Sequence, residues 1–302
     1  MASVISKLRD KSFWSGLMLG TFGVEDPASF KDLELWNPSR SEQSLRQSFA
    51  RTGYIHMPRL QPPADTERLA EAVRRLVRAN FPPVFAMVYD EFWKPVYALH
   101  QVLKASFGAD YFMMPDMWLW HVDPMKAESG WRPHRERGSE SLFPDRQPKT
   151  LSVWLALSKA TPRNSCMYIV PADRDPTYGT VNDDEWKFEM PDVRALPAEA
   201  GDVFLWTHAL LHWGGHAMLC DEPPRISMAF EFQRADIEPI DHPLIEPLAI
   251  VPFEDRLRLI GKQLLQYQHM AAISPEIEEA ACEMIKTPAV GLGRMMLPDR
   301  YA

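Results

Sequence analysis

The apolar positions in the first third of the chain recur three and four residues apart, the spacing of one face of a helix. The pattern predicts helices over about residues 42–50, 66–80 and 84–106. Gly53 is placed to end the first helix, Asp65 to cap the second, and Pro95 to kink or split the third. A short strand, YIHMPRL, is predicted between the first two helices.

From residue 111 the pattern becomes that of β-strands. Strands are predicted where segments are short, rich in aromatic and β-branched residues, and bounded by Pro, Gly, Asn or Asp. These segments are YFMMPDMWLWHV, TLSVWLALS, SCMYIVP, GDVFLWTHALLHW and RISMAFEFQ. In the last of them apolar residues alternate with Ser227, Ala229, Glu231 and Gln233, which predicts a half-buried strand with one polar face. Short strands joined by loops favour a sandwich or jelly roll.

Helical spacing returns after residue 250. One helix is predicted over about residues 253–268, and Ser274 followed by Pro275 predicts the start of another. The predicted fold is therefore mainly β, with helices before and after the β core. Because the sequence has no repeat and no low-complexity linker, residues 1–302 are interpreted as a single domain. Its parts are a helical region 1–110, a β core 111–235 and a helical region 250–290.

Composition and charge narrow the class of protein. With 46% apolar and 25% charged residues the chain resembles a soluble globular protein, and its net charge of −8 argues against nucleic acid or an anionic membrane as a partner. Three cysteines without a C-x-x-C spacing indicate reduced thiols in the cytoplasm. The apolar run FWSGLMLGTFGV is too short to span a bilayer and lacks a cleavage pattern, so it is interpreted as a surface arm or part of the core.

Two histidine-x-acid triplets lie thirteen residues apart, one formed by His121 and Asp123, the other by His134 and Glu136. Residues two apart on a strand share a face, so either triplet can present an imidazole and a carboxylate together. Two histidines and one carboxylate on one face of iron are typical of oxygen-activating enzymes, because further coordination positions stay open. The second histidine would come from a distant strand.

The segments around these triplets resemble, in order, those of the phytanoyl-CoA dioxygenase family. The matching pieces are Trp154, NSC at 164–166, IVP at 169–171, GD at 201–202, His212 and RIS at 225–227. The resemblance covers roughly residues 112–234 and, more loosely, the segment FARTGYIHM. It implies a cupin-like double-stranded β-helix and an oxygenase that uses Fe(II), 2-oxoglutarate and O₂.

The chain departs from the family pattern at three places. ADR at 172–174 stands where the family usually has Gly-Ser-His, and Ser165 stands where glycine is usual. The carboxylate of the second triplet is Glu136, whereas the family usually has aspartate. Glutamate reaches one methylene further and occurs in related iron oxygenases, so the departure weakens the match without breaking it.

Spacing decides between the two triplets. Twenty residues separate His134 from Trp154, enough for one loop and the returning strand of the family, whereas thirty-three separate His121 from it. A proline follows Asp123 and would end the hydrogen bonding of that strand. His134 and Glu136 are therefore predicted to be ligands at the opening of a strand, and the first triplet is assigned to packing or to a contact behind the ligands.

His212 is predicted to be the second histidine, because it lies eleven residues after Gly201, where the resemblance places the distal ligand. His208 and His216 are interpreted as outward-facing histidines or as contacts behind the ligands. A helical pair of zinc ligands at 208 and 212 is disfavoured by the strand-like residues around them and by Ala209, where a zinc protease has glutamate.

The resemblance implies a role for each site residue. The catalytic iron ligands would be His134, Glu136 and His212. Arg225 would bind the far carboxylate of 2-oxoglutarate, Ser227 would add a hydroxyl donor on the same face, and Trp154 would line the pocket. A surface cation, an outward serine and a core tryptophan are the alternatives for these last three.

The chemistry implied is oxidative decarboxylation of 2-oxoglutarate to succinate and CO₂, coupled to hydroxylation or another oxidation of an unactivated C–H bond. Arg132, Arg135 and Arg137 indicate an anionic small-molecule substrate, although a solvated charged loop explains them equally well. Two other functions stay open: a cupin-like metalloenzyme that does not use 2-oxoglutarate, and an inactive β-sandwich binding protein. The C-terminal helices offer a surface for a homodimer.

Overall fold

Two antiparallel β-sheets lie at the centre of the computed structural model, which describes residues 4–126, 131–268 and 273–293. The strands are β1 (Tyr54–Met57), β2 (Tyr111–Val122), β3 (Thr150–Ala156), β4 (Met167–Val170), β5 (Arg194–Leu196), β6 (Val203–Thr207), β7 (Leu211–Gly214) and β8 (Arg225–Arg234). The large sheet has the order β1–β6–β3–β8–β2 and the small sheet the order β5–β4–β7. This is the predicted mainly β jelly roll with helical additions, and the fold class is confirmed.

Helices precede and follow the β core. They are α1 (Val4–Leu8), α2 (Lys11–Leu17), α3 (Glu42–Thr52), α4 (Pro63–Arg78), α5 (Asp90–Ala98), α6 (His100–Phe107), α7 (Phe253–Gln266) and α8 (Pro275–Lys286). Short 3₁₀ turns lie at Pro27–Phe30, Pro83–Val88, Pro124–Lys126, Gly138–Ser141 and Met190–Asp192. In the described part of the chain, no helix combines the length and the apolar character that crossing a bilayer requires.

The helix boundaries test the sequence predictions. α3 ends as predicted at Gly53, whose φ of +77° is the left-handed conformation that glycine adopts without strain. The prediction that Asp65 caps the next helix is wrong, because α4 already begins at Pro63 and Asp65 lies in its first turn. The helix predicted over residues 84–106 is broken at Tyr89 and Leu99, on either side of Pro95, which lies inside α5.

The N-terminal apolar run belongs to the core. Trp14 of α2 is fully buried, its ring lies 5.4 Å from that of Phe85, and its indole N–H donates to the carbonyl of Leu8 at 2.7 Å. Of the two interpretations of this run, part of the core is therefore the correct one.

The large sheet is covered on both faces. Leu151, Val153 and Leu155 of β3 point toward the helices, whereas Trp154 points toward the small sheet. β8 follows the same alternation, with Phe230 on the helical side. The prediction that β8 exposes its polar face is wrong, because the second sheet covers that face and makes it a wall of the space between the sheets.

Two predictions about strands need correction. GDVFLWTHALLHW forms two strands, β6 and β7, joined by a turn, and β5 was not predicted. The strand expected to open at His134 is a single bridge between His134 and His212 instead. Part of the loop predicted before it, residues 127–130, lies outside the described residues, as do residues 1–3 and 294–302 of the predicted single domain.

Candidate metal centre

His134, Glu136 and His212 converge between the two sheets. The backbones of His134 and His212 exchange two hydrogen bonds of 3.0 Å, which brings a loop residue against β7. Oε1 of Glu136 lies 3.4 Å from Nε2 of His134 and 3.3 Å from Nε2 of His212. The three ligand atoms lie within 4.8 Å of one another, and they form the single cluster of this kind among the described residues.

The outer nitrogens of both imidazoles are fixed by backbone carbonyls. Nδ1 of His134 donates to the carbonyl of Arg132 at 2.7 Å, and Nδ1 of His212 donates to the carbonyl of Leu210 at 3.0 Å. A carbonyl only accepts, so each Nδ1 carries the proton and each neutral imidazole directs the Nε2 lone pair toward Glu136. This is the tautomer that a metal-binding histidine requires, and the backbone contact fixes the ring orientation.

The electrostatics of the cluster favour an ionised Glu136 and a neutral His212. Burial alone would raise the pKa of Glu136, but the imidazoles of His134 and His212 beside its carboxylate hold it well below its ordinary value. Burial, followed by the charge of His134, lowers the pKa of His212. An anionic oxygen and two imidazole nitrogens suit a divalent transition metal such as iron, so the donor set fits the metal that the sequence implies.

Arg135, the middle residue of the triplet, holds the loop in place. Its guanidinium donates to Asp175 at 2.7 Å and to the carbonyl of Ala209 at 2.6 Å, and its side chain is only 5% exposed. Because it points away from the ligands on either side of it, its anchoring turns both of them inward. The sequence analysis assigned this residue to the binding of an anionic substrate or to a solvated charged loop; its place between two predicted ligands was the signal for a structural role.

Arg225 lies at the start of β8 and is 1% exposed. Nη1 donates to Oγ of Ser227 at 2.6 Å, whereas Nε has no hydrogen-bond partner among the described residues. The guanidinium carbon lies 5.8 Å from the ring centre of Trp120 and 6.0 Å from that of Trp154. Burial lowers the pKa of Arg225 to about 10. A buried guanidinium that makes no ion pair with a described side chain fits a carboxylate ligand.

A single cavity joins these groups. It is bordered by the three predicted iron ligands together with Arg225 and Trp154, while Ser227 stands behind Arg225 and reaches it through the hydrogen bond. The structure therefore brings all six predicted site residues to one place. Sequence reasoning missed four further polar side chains on the wall, namely Asp116, Glu231, Ser152 and Tyr267. The signal for the first two was an acid inside a strand-like, otherwise apolar segment.

The first triplet lies apart from this cluster. His121 pairs with Ile226 across β2 and β8, one position beyond Trp120, so it faces the opposite side of the sheet from that cavity residue. Asp123 accepts a hydrogen bond from the backbone N–H of Met125 at 3.0 Å and shapes the turn after β2. The structure thus gives His121 and Asp123 positions consistent with the assignment to packing at a strand end.

The two other histidines of THALLHWGGH differ from each other. His216 is exposed, as predicted. An outward position for His208 is wrong, because its side chain is fully buried, with Nε2 3.9 Å from Oε2 of Glu231. Neither ring nitrogen has a hydrogen-bond partner among the described residues, and burial lowers the pKa of His208 to about 3. The backbone N–H groups of Arg137 and Gly138 donate to the carbonyl of His208, so a segment far away in sequence packs on this turn and helps to bury a residue that local sequence leaves open.

The three arginines around the triplet also differ. Arg135 makes buried structural contacts, Arg137 lies 3.4 Å from Glu231, and Arg132 is exposed. The cluster therefore does not act as one basic surface.

Part of the sequence matches the model of a known protein family. Residues 87–218 match the family model described as phytanoyl-CoA dioxygenase (PhyH). A search of curated protein sequences gives no match.

Several solved structures share the fold. The non-heme monooxygenase ThoJ in its apo form has 14% identity and a TM-score of 0.55 over 80% of this chain and 99% of its own. Its nickel complex has 16% identity and a TM-score of 0.53 over 78% and 99%. AviO1 from Streptomyces viridochromogenes Tue57 has 17% identity and a TM-score of 0.50 over 67% and 99%. At such identities the likeness shows the fold alone.

Proposed function

We propose that the chain is a PhyH-like oxygenase that depends on Fe(II), 2-oxoglutarate and O₂ and that it hydroxylates an unactivated C–H bond of a small molecule, and the family match over residues 87–218 supports this. One observation carries the proposal. A single cavity contains a histidine–glutamate–histidine cluster and a buried arginine, Arg225, that makes no ion pair with any described side chain. The first group suits iron and the second suits the far carboxylate of 2-oxoglutarate.

The residues have distinct tasks in this reaction. His134, Glu136 and His212 would hold the iron, and the backbone contacts of both imidazoles keep their rings aimed at it. When bound, iron and 2-oxoglutarate supply the oxidising chemistry, in which O₂ is consumed and 2-oxoglutarate leaves as succinate and CO₂. The protein itself orients the substrate and excludes water, so that the oxidation falls on the intended C–H bond.

Arg225 and its neighbours would bind the co-substrate. Its planar guanidinium offers two parallel N–H donors to a carboxylate, and Ser227 fixes its orientation through the 2.6 Å hydrogen bond. Trp154 lies beside it and closes the wall, so the ion pair would form away from water and gain strength from the low dielectric.

Arg225 also separates this proposal from a cupin-like enzyme that does not use 2-oxoglutarate, because such an enzyme has no need of a buried unpaired cation near the metal. The cluster itself argues against the other alternative, an inactive binding protein. Its three ligand atoms lie within 4.8 Å of one another, the spacing that binding one metal ion requires. The homodimer stays a prediction.

The test is anaerobic addition of Fe(II) and then 2-oxoglutarate to the purified protein. A chelate of the two on the protein gives a weak visible charge-transfer band, which we expect in the wild type and in His121→Ala. His134→Ala and His212→Ala should lose it. In air, with substrate, succinate should form together with a product that has gained one oxygen atom. A wild-type protein that loads iron yet shows no band would contradict the proposal.

A further inference from the structure

The cavity has a second polar end, at the other end of β8. Glu231 lies six residues from Arg225 on the same face of the strand, roughly 20 Å further along it. Asp116 of β2 borders the cavity as well. Both residues are buried, at 9% and 6% exposure. Neither residue belongs to the proposed iron or 2-oxoglutarate groups, so this end is available to the substrate.

The cations near Glu231 and Asp116 do not lie on the cavity side of these residues, so the wall that faces the cavity stays acidic. Lys262 stands behind the wall and binds Asp241 at 3.0 Å, with its side chain 3% exposed. Arg137 reaches only Oε2 of Glu231, at 3.4 Å, and Oε1 has no hydrogen-bond partner among the described residues. Asp116 accepts hydrogen bonds from Tyr267 at 2.7 Å and Gln266 at 2.8 Å, both neutral side chains. The acidic end thus lacks a cation on the cavity side.

Aromatic rings form the wall beside this acidic end. The ring of Tyr267 lies 5.1 Å from that of Trp118 and 5.3 Å from that of Trp131, both nearly edge to face. Trp120 lies 5.9 Å from Trp131 at an interplanar angle of 88°. All four rings border the cavity, and the face of an aromatic ring attracts a cation.

A buried hydroxyl points to a bound ligand independently of the carboxyl groups. Ser152 of β3 is paired with Glu231 across β3 and β8, borders the cavity and is 4% exposed. Its Oγ has no hydrogen-bond partner among the described residues. An unpaired buried hydroxyl costs free energy, which a ligand that brings a donor or acceptor would recover.

We propose that the substrate carries a cationic nitrogen, a protonated amine or a quaternary ammonium group, which lies between Glu231 and Asp116 and against the tryptophan wall. This inference rests on the proposed function, because it assigns the end of the cavity that the iron and 2-oxoglutarate groups leave open. The opposite charges of the two ends then set the direction of binding: the co-substrate carboxylate at Arg225, the substrate cation at the acids.

The protonation of the two acids is coupled to the binding of such a cation. Burial, and then the charge of Asp116, raises the pKa of Glu231 well above its ordinary value. Burial likewise raises the pKa of Asp116, against the opposing charge of Lys262. A cation bound between the two groups would lower both pKa values, so its binding would release protons from these groups.

The experiment compares three probes of similar size on the protein loaded anaerobically with Fe(II) and 2-oxoglutarate: phenethylammonium, phenethyl alcohol and hydrocinnamate. Binding is followed by quenching of tryptophan fluorescence and by the shift of the charge-transfer band. We expect the ammonium to bind roughly tenfold more tightly than the alcohol and the carboxylate to bind most weakly. Glu231→Gln and Asp116→Asn should each remove most of that preference while keeping the band. Glu238→Gln, an exposed acid nearby, is the matched control.

Each alternative has its own result. Equal binding of the ammonium and the alcohol would overturn the proposal of a cationic substrate. Tightest binding of the carboxylate would also overturn it, and this is the result that an anionic substrate bound by the arginines would give. Retention of the preference in both variants would also overturn it. A thermal melt of each variant checks that it is folded. If the wild type forms no band, the proposed function fails, and the fluorescence titration still decides the preference for a cation.

Discussion

Arg225 donates its 2.6 Å hydrogen bond to Ser227 within one strand, and no acidic side chain among the described residues pairs with it. A neutral hydroxyl leaves the charge of a buried guanidinium uncompensated, so a carboxylate ligand should depend strongly on it. We expect Arg225→Lys to raise the KM for 2-oxoglutarate roughly a hundredfold, because lysine loses the bidentate geometry. Initial rates of succinate formation measure this. Arg132→Lys, an exposed arginine near the metal, is the control.

A change confined to kcat, with KM for 2-oxoglutarate unaltered, would show that Arg225 does not bind the co-substrate. Ser227→Ala should raise the same KM less, by several-fold, because it frees the guanidinium without removing it.

Arg135 is expected to control metal affinity without touching the metal. Replacing it with methionine removes the contacts to Asp175 and Ala209 that turn the neighbouring ligands inward. We expect metal affinity to fall about 10- to 100-fold, the usual effect of losing a group that orients ligands. Isothermal titration with Co(II) measures the affinity, and Arg174→Met, an exposed arginine, is the control.

Unchanged Co(II) affinity in a folded Arg135→Met protein would show that the loop holds its shape without the anchor. Because the substitution strands the buried carboxylate of Asp175, the double variant Arg135→Met/Asp175→Asn is the second test, since it removes the same contact together with both buried charges.

Trp14 fixes the N-terminal helices to the core. Its side chain is fully buried, so Trp14→Ala should lower the free energy of unfolding by about 3–5 kcal/mol. Leu19→Ala, in the same apolar run but 72% exposed, should change it little. Urea unfolding followed by circular dichroism gives both values. Equal effects of the two substitutions on the free energy of unfolding would support the other interpretation of this run, a surface arm.

The iron ligands were predictable because the resemblance fixes their spacing along the chain. Twenty residues from His134 to Trp154 select one triplet over the other, and the structure brings that triplet to His212. The conformation around them was not predictable. The predicted strand at His134 is a loop held by Arg135, whose partner Asp175 is forty positions away in sequence, beyond any local pattern.

The acidic end of the cavity could not be predicted from the sequence for a different reason. Glu231 alternates with apolar residues, a pattern that for an isolated sheet means a solvent-facing side chain. The second sheet covers that face and turns an apparent surface acid into a pocket wall. Tyr267, at the end of α7, comes from a helix that no motif connects to the site.

His208 makes stability depend on pH. Burial lowers its pKa to about 3 in the folded protein, whereas an unfolded histidine titrates near its ordinary value of 6.5. Below that ordinary value the unfolded chain binds a proton that the folded protein does not, so this contribution to stability is present at neutral pH and is lost as the pH falls. At pH ~5.5 the loss from this group is about 1.4 kcal/mol.

The measurement is urea unfolding of the metal-free protein at pH ~7.5 and ~5.5. We expect His208→Gln to lose about 1.4 kcal/mol less than the wild type between the two, since glutamine takes up no proton. His216→Gln replaces an exposed histidine and should lose as much as the wild type. Identical losses in all three proteins would mean that His208 accepts its proton in the folded state, and with it that water reaches the turn between β6 and β7.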